Sequence, residues 1–270
     1  MNTYLKKWFG IIILYLLSAA AAAQAPAGRI YDTAAQTDIT AEALVQALAQ
    51  SPMVIIGEKH DETAHHRAEL WLLQQTETPR SRGSVLLEML DSAQQRDVTR
   101  VQQWLLDGGS TSERRLPEKM AWNHAWNWPD YARTVSWIMR RPAKVLAAAP
   151  GRDDVRRAAA FVPDGRYSGA PAVRQALEQI IGTNHVGTGN TDKVSMQQFK
   201  DSIMAQNLAA APRPAWLLTG SIHASKQLGI PLFLRDAGQA SDAKVLILTA
   251  RDSDIDTGHG DYIWYLDPAP

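Results

Sequence analysis

The sequence predicts an α/β fold: a mostly parallel sheet flanked by helices, with a helical insertion subdomain. Three observations carry this. Short apolar runs occur at 52–56, 84–90, 143–149, 215–220 and 243–250, with "DYIWYL" at 261–266 fitting a last one. Runs of this length, apolar throughout and rich in β-branched residues, are what strands covered on both faces look like. Helical spacing separates most of them, and strand–helix alternation implies parallel crossovers with helices on both faces. Finally, residues 92–142 are too long for one crossover helix and too patterned for a loop. With tryptophans at 104, 122, 126, 128 and 137 they read as a helical insertion folding over one edge of the sheet.

Taken in order, the chain opens on Lys6 and Lys7, an apolar stretch from Trp8 to Leu17, and small residues through Ala25. That is the order of a secretory signal peptide, too short and wrongly flanked for a stable span. Cleavage is expected after Ala23, leaving 24–270 as one α/β domain in the periplasm or outside the cell. The chain contains no cysteine, which excludes disulfides, thiolate metal sites and a lipidated N-terminal cysteine. Lysine plus arginine equals aspartate plus glutamate at 28 each, so nothing in the charge balance points to nucleic acid.

Residues 28–40 read as a lead-in and "AEALVQALAQ" (41–50) as an amphipathic helix. "PMVII" then runs into Gly57, expected to form a tight turn, and "ETAHHRAELWLLQQT" places Ala64, Ala68, Trp71 and Leu72 on one helical stripe. Asp61 is expected to cap that helix. Further on, "IGTNHVGTGNT" (181–191) reads as an exposed loop between two helices. No repeat of solenoid period is present.

Ligands of open parallel sheets sit beyond the carboxyl ends of the strands. Glu58 and His60 follow the first predicted strand, Glu88 lies near the end of the second, and Ser221 and His223 follow "AWLLTG". Three strands thus deliver Glu, His, Glu and His to one rim. A carboxylate among leucines needs a partner, so Glu88 is either salt-bridged or coordinated. Taken alone, His60 fits a core or capping histidine as well as a ligand.

"GEKH" at 57–60 and "GSIH" at 220–223 are two copies of Gly-x-x-His, with "LLEM" between them. With "HDETAHHRAEL", "WPDY", "FKDSIMAQNLA", "LGIPLFL" and "DYIWYL" in order, the chain resembles the haem-binding uptake and Tiki superfamily and, within it, the ChaN-like group, from about Ile55 to Tyr265. The resemblance implies an α/β sandwich with a helical insertion, haem as ligand and a part in haem or iron uptake. It also implies, as partners, an outer-membrane receptor or haem-transporter components, with a homodimer left open. Other branches of the superfamily resemble metal-dependent proteases or esterases. The site positions carried over are Glu58, His60, Glu88 and His223. ChaN-like proteins are often lipoproteins, and the missing cysteine departs from that pattern.

Two functions therefore stand side by side. In the first, haem is the cofactor or cargo, with His60, His65, His124, Tyr131, Tyr167 and His223 as candidate contacts. "WNHAWNWPDY" would supply an aromatic wall around His124 and Tyr131, although clustered aromatics are ordinarily core. In the second, Glu58, His60, Glu88 and His223 hold a divalent metal whose bound water attacks a peptide or ester carbonyl, one glutamate acting as base. A binding module that kept the fold without the chemistry is a third reading. Of His65 and His66, adjacent on a helix and about 100° apart, one is expected near the pocket and one in solvent. His185 and His259, in Gly-rich loops, are expected to be solvated.

Overall fold

The computed structural model describes residues 24–184 and 190–269, so the segment expected to be a signal peptide and His185 lie outside the described residues. The strands are β1 (Gly28–Asp32), β2 (Thr37–Ile39), β3 (Met53–Glu58), β4 (Ser84–Asp91), β5 (Lys144–Ala149), β6 (Ala215–Gly220), β7 (Ala243–Ala250) and β8 (Tyr262–Leu266). They form one eight-stranded sheet in the order β2-β1-β8-β7-β3-β6-β4-β5. Pairing is parallel from β8 to β5 and antiparallel at β1 and β2. All six predicted strands are present. The lead-in at 28–40 is instead a hairpin, closed by Asp32, whose Oδ1 accepts from the Ala34 and Ala35 amides, both at 2.9 Å.

The helices are α1 (Ala41–Gln50), α2 (Thr63–Gln75), α3 (Gln95–Leu106), α4 (Leu116–Lys119), α5 (Trp128–Ile138), α6 (Arg152–Arg157), α7 (Pro171–Asn184), α8 (Asn190–Ala210), α9 (Ser221–Ala224) and α10 (Ile230–Asp236). The expected exposed loop at 181–191 is helix where it is described, because residues 181–184 end α7 and 190–191 begin α8, while 185–189 lie outside the described residues. Thr40 caps α1, its hydroxyl accepting from the Ala43 amide at 3.2 Å. Asp61 does not cap α2. It is exposed and 3.3 Å from Lys59, and the backbone at Glu62 begins the helix instead.

Side-chain alternation sorts the strands onto two cores. Val54, Ile56, Val85 and Leu87 join Leu44, Leu48, Leu72 and Val135 of α1, α2 and α5. Met53, Ile55, Leu86 and Leu217 face the other way, onto Met204 and Leu208 of α8 and Ile230 and Leu234 of α10. This period of two also decides where the rim carboxylates go, because Glu58 is in phase with Val54 and Ile56 whereas Glu88 is in phase with Leu86.

The insertion does pack on the sheet edge. From α3, the Gln102 amide donates to the Ala143 carbonyl (2.8 Å) and accepts from the Val145 amide (3.0 Å), pinning the edge strand β5. It also reaches further than the edge, since α5 lies against α2 over the sheet face.

Gly57 is not a turn, because β3 runs straight through it. A Cβ there would meet Ala224 Cβ at 2.7 Å, Ile247 Cδ1 at 2.9 Å and Ser221 Cα at 3.0 Å. The glycine lets α9 lie directly on the strand. Gly57→Ala is expected to destabilise the fold by about 1–3 kcal/mol through overpacking, read as a lower denaturant midpoint. An unchanged midpoint would show that α9 moves freely.

Candidate functional site

The strand ends of β3, β6 and β4 lie side by side, and from them a polar network spreads to both faces of the sheet. On the first face, Glu58 is fully buried and its Oε1 receives two contacts. The Tyr131 hydroxyl donates to it at 3.1 Å, and His60 Nδ1 lies 2.8 Å away. Because Nδ1 faces a carboxylate and a hydroxyl (Tyr131, 3.3 Å), it is assigned the proton. Glu58 Oε2 is 3.0 Å from His66 Nδ1, whose other nitrogen lies 3.1 Å from the His60 carbonyl. Glu69, one turn along α2, is completely buried with its Oε2 3.7 Å from the same His66 nitrogen.

Burial alone would push Glu58 up, but hydrogen bonds and charges from His60 and His66 outweigh it and hold the carboxylate below its usual range. His66 is opposed by burial yet held up at about 11 by Glu58 and Glu69. Burial, then the charge of Glu58, pushes Glu69 up to about 8.

On the second face, Glu88 accepts from the Thr219 hydroxyl (2.7 Å), the Gly220 amide (2.9 Å) and the Lys200 ammonium (2.9 Å). His223 Nε2 sits 3.2 Å from Glu88 Oε1, and its Nδ1 lies 2.5 Å from Asp201 Oδ1. An imidazole between two buried carboxylates is a favourable place for a proton. Burial disfavours the charged ring, but Glu88 and Asp201 more than offset this and raise it to about 9. Glu88 is held well below the normal carboxylate range, burial being overcome by His223 and Lys200. Burial raises Asp201, with His223 pulling in the other direction.

His60 joins the two faces. Its Nε2 is 4.0 Å from Glu88 Oε2, and its side chain is 38% exposed while Glu58 and Glu88 are buried. Its ring meets the Trp126 ring edge-on at a centroid distance of 4.8 Å. Gly220 permits this placement, since a Cβ there would come within 2.9 Å of His60 Nε2. The second Gly-x-x-His glycine is thus a clearance for the first motif's histidine.

The four residues expected as one metal set converge on the rim, but not as one coordination sphere. Glu58 and Glu88 point to opposite faces, and Lys200 Nζ occupies the approach to Glu88 and His223, 3.3 Å from His223 Nε2. A cation already sits there. Neither His65 nor His66 is in solvent: both are buried, and His65 Nδ1 accepts from the Lys59 amide at 2.9 Å. Burial pushes His65 down to about 4, so it serves as a neutral acceptor that shapes the bend after β3.

Tyr131 is buried and turned onto Glu58, and burial together with the Glu58 charge raises its phenol far above the usual range. It is a support for Glu58. His124 is exposed and lies outside the network. Tyr167 is half-buried against α10, under the Arg235 guanidinium at 3.7 Å from the ring centroid. His259 is not free in solvent, its Nδ1 lying 2.6 Å from Ser225 Oγ.

Sequence reasoning missed Glu69, Lys200 and Asp201 as members, whereas Trp126 belongs to the aromatic segment expected to wall the pocket. Glu69 carried a signal, because a glutamate between Ala68 and the Leu70–Leu72 stretch, three residues after His66, falls on the inward stripe of α2.

A mostly parallel sheet with a partly exposed histidine at the carboxyl rim, backed by buried carboxylates and edged by tryptophan, is the architecture of an α/β protein with a candidate ligand site at its strand ends. The family model described as haem-binding uptake, Tiki superfamily, ChaN matches residues 44–234, and the chain belongs to that family. Among solved structures it is similar to ChaN of Campylobacter jejuni, described by its cofacial haem binding. Identity is 27%, the match covers 88% of this chain and 96% of that one, and the TM-score is 0.82. A more distant likeness is to an erythromycin esterase, EreC, at 14% identity over 84% of this chain and 79% of that one, with a TM-score of 0.47. That level supports no functional argument. No curated protein matches the sequence.

Proposed function

We propose that this protein binds haem at the crevice over His60 and serves haem or iron uptake outside the cytoplasmic membrane. The observation that carries the reading is the state of His60. Its Nδ1 is tied to the buried Glu58 at 2.8 Å, which leaves Nε2 of this partly exposed side chain as the nitrogen available to a ligand. A histidine that donates its second nitrogen to a carboxylate is fixed in tautomer and orientation and becomes a stronger donor to a metal. Trp126 offers an apolar edge beside it, and Lys200, 26% exposed, offers a cation of the kind a haem propionate takes. His60, Trp126 and Lys200 fit haem. When bound, haem would supply the iron, His60 is the residue that would hold it, and Glu58 and Trp126 orient that imidazole.

Family membership and the likeness to a ChaN that binds haem support the ligand. The leader of lysines, apolar run and small residues supports export. Expressed from the full chain, the protein is expected in the periplasmic fraction beginning at Gln24; recovery only in the cytoplasm with its leader intact would remove the export half. Titrating haemin into that protein should shift the Soret band and saturate with a micromolar or tighter Kd. Absence of a shift at tens of micromolar protein would sink the haem half.

A further inference from the structure

The network contains a second place for a cation, separate from the His60 crevice. Glu58, His66 and Glu69 each offer one ligand atom, all within 4.8 Å of one another and all buried. Neither oxygen of Glu69 has a hydrogen-bond partner among the described residues, although Glu69 has no exposure at all. Unpartnered buried carboxylates are costly, and proteins resolve them by pairing or by coordination.

The histidine is already set as a ligand would be. His66 Nε2 is within hydrogen-bond reach of the His60 carbonyl, at 3.1 Å, and that carbonyl can only accept. One proton therefore belongs on Nε2, and Nδ1 faces the two glutamates at 3.0 and 3.7 Å. Without an ion, a second proton on Nδ1 fills the place between them, and an ion would displace it. A backbone carbonyl holding the far nitrogen is the usual outer-shell arrangement of metal-bound histidine. Donor atoms about 2.1 Å from a shared ion lie about 3.0–3.4 Å apart in octahedral or tetrahedral coordination. The Glu58–His66 spacing of 3.0 Å falls in that range, and the Glu69–His66 spacing of 3.7 Å would have to close by a few tenths of an ångström. Two carboxylates and a neutral imidazole would also cancel the charge of a divalent ion. Of the three, His66 also lines a groove of about 790 Å³ between α2, α5 and the segments at 24–27 and 267–269, which is the approach an ion would take.

We propose that Glu58, His66 and Glu69 form a binding site for one divalent metal ion, with the mixed oxygen and nitrogen donors suited to Mn²⁺ or Zn²⁺. The site stands independently of haem binding, although Glu58 connects them: Oε1 holds His60 and Oε2 faces the ion.

The test uses the full chain, stripped with chelator and then equilibrated separately with Mn²⁺ and Zn²⁺. Bound metal is measured by elemental analysis and by calorimetric titration. The wild type is expected to hold about one equivalent of at least one ion, Glu69→Gln at least tenfold less, and His60→Ala as much as the wild type. Retention of metal by Glu69→Gln, its loss in His60→Ala, or no binding by the wild type would each overturn the proposal. Glu69→Gln should still give the haem Soret shift, so failure of the metal site and failure of the haem reading are distinguishable. Should Glu69→Gln not fold, Co²⁺ added to the wild type provides the second readout. Visible bands of an imidazole–carboxylate site that Zn²⁺ abolishes support the proposal, and a spectrum of aquated Co²⁺ overturns it.

Discussion

His60→Ala is expected to weaken haem binding at least about 100-fold and to change the Soret position of whatever complex remains. The size follows from what the side chain is. It is the partly exposed histidine of the network, its Nδ1 is held 2.8 Å from Glu58, and its ring is braced by Trp126. Removing it takes away both the donor atom and the group that Glu58 orients. Among the other expected haem contacts, His223 is enclosed by Glu88, Asp201 and Lys200, His65 is spent on the Lys59 amide, and Tyr131 on Glu58. The cost to folding should be modest, about 1 kcal/mol, because a partly exposed side chain is lost and Glu58 keeps the Tyr131 hydroxyl. Haemin titration monitored at the Soret band, with a thermal melt as control, reads both quantities. A variant with wild-type affinity and spectrum would move the iron ligand elsewhere, to His124 or Tyr167.

The second large effect lies in the buried chain Asp201–His223–Glu88. His223 is raised in the folded protein to about 9 from an ordinary 6.5. A histidine raised on folding contributes stability that is complete below its unfolded value and lost as pH rises through its folded one. The window is therefore pH 6.5 to 9, with stability falling toward the alkaline side. Over that window the loss is on the order of 3 kcal/mol, or about 5–10 °C in Tm for a chain of this size. Glu88 behaves in the opposite sense. Its depressed carboxyl contributes stability above about 4.5 that is lost as the medium becomes strongly acidic.

His223→Gln should isolate the first effect. At pH 6.5 the variant is expected to be several kcal/mol less stable, since Glu88 and Asp201 lose the charge between them. By pH 9 most of the gap should close, because the wild type has lost the same proton. Denaturant unfolding at the two pH values measures this. Curves that remain parallel would show that His223 is neutral in the folded state.

Much of this protein is legible in its sequence. The six strands from β3 to β8 announce themselves because continuous apolar runs bounded by Gly and Pro have few other uses. The paired Gly-x-x-His motifs mark the rim because each follows such a run. The β1–β2 hairpin was lost because its strands are short and carry polar residues, and their stability comes from pairing with β8, a partner more than 200 residues away. The two glycines were understood only in part. Their place at strand ends was evident, but Gly57 and Gly220 are there for the close approach of α9 and of His60, which no local pattern encodes.

The roles within the site divide in the same way. Sequence determined which polar residues stand at the strand ends, Glu58, His60, Glu88 and His223, because a strand must end where its apolar run ends. Only the tertiary structure decided that the two glutamates face opposite cores, that Lys200 and Asp201 enclose His223, and that Glu69 completes a cluster with Glu58 and His66. The physical reason is that a charge can be buried only against partners, and those partners are supplied by helices packed across the sheet, at sequence distances of 112 and 22 residues in the case of Glu88–Lys200 and Asp201–His223.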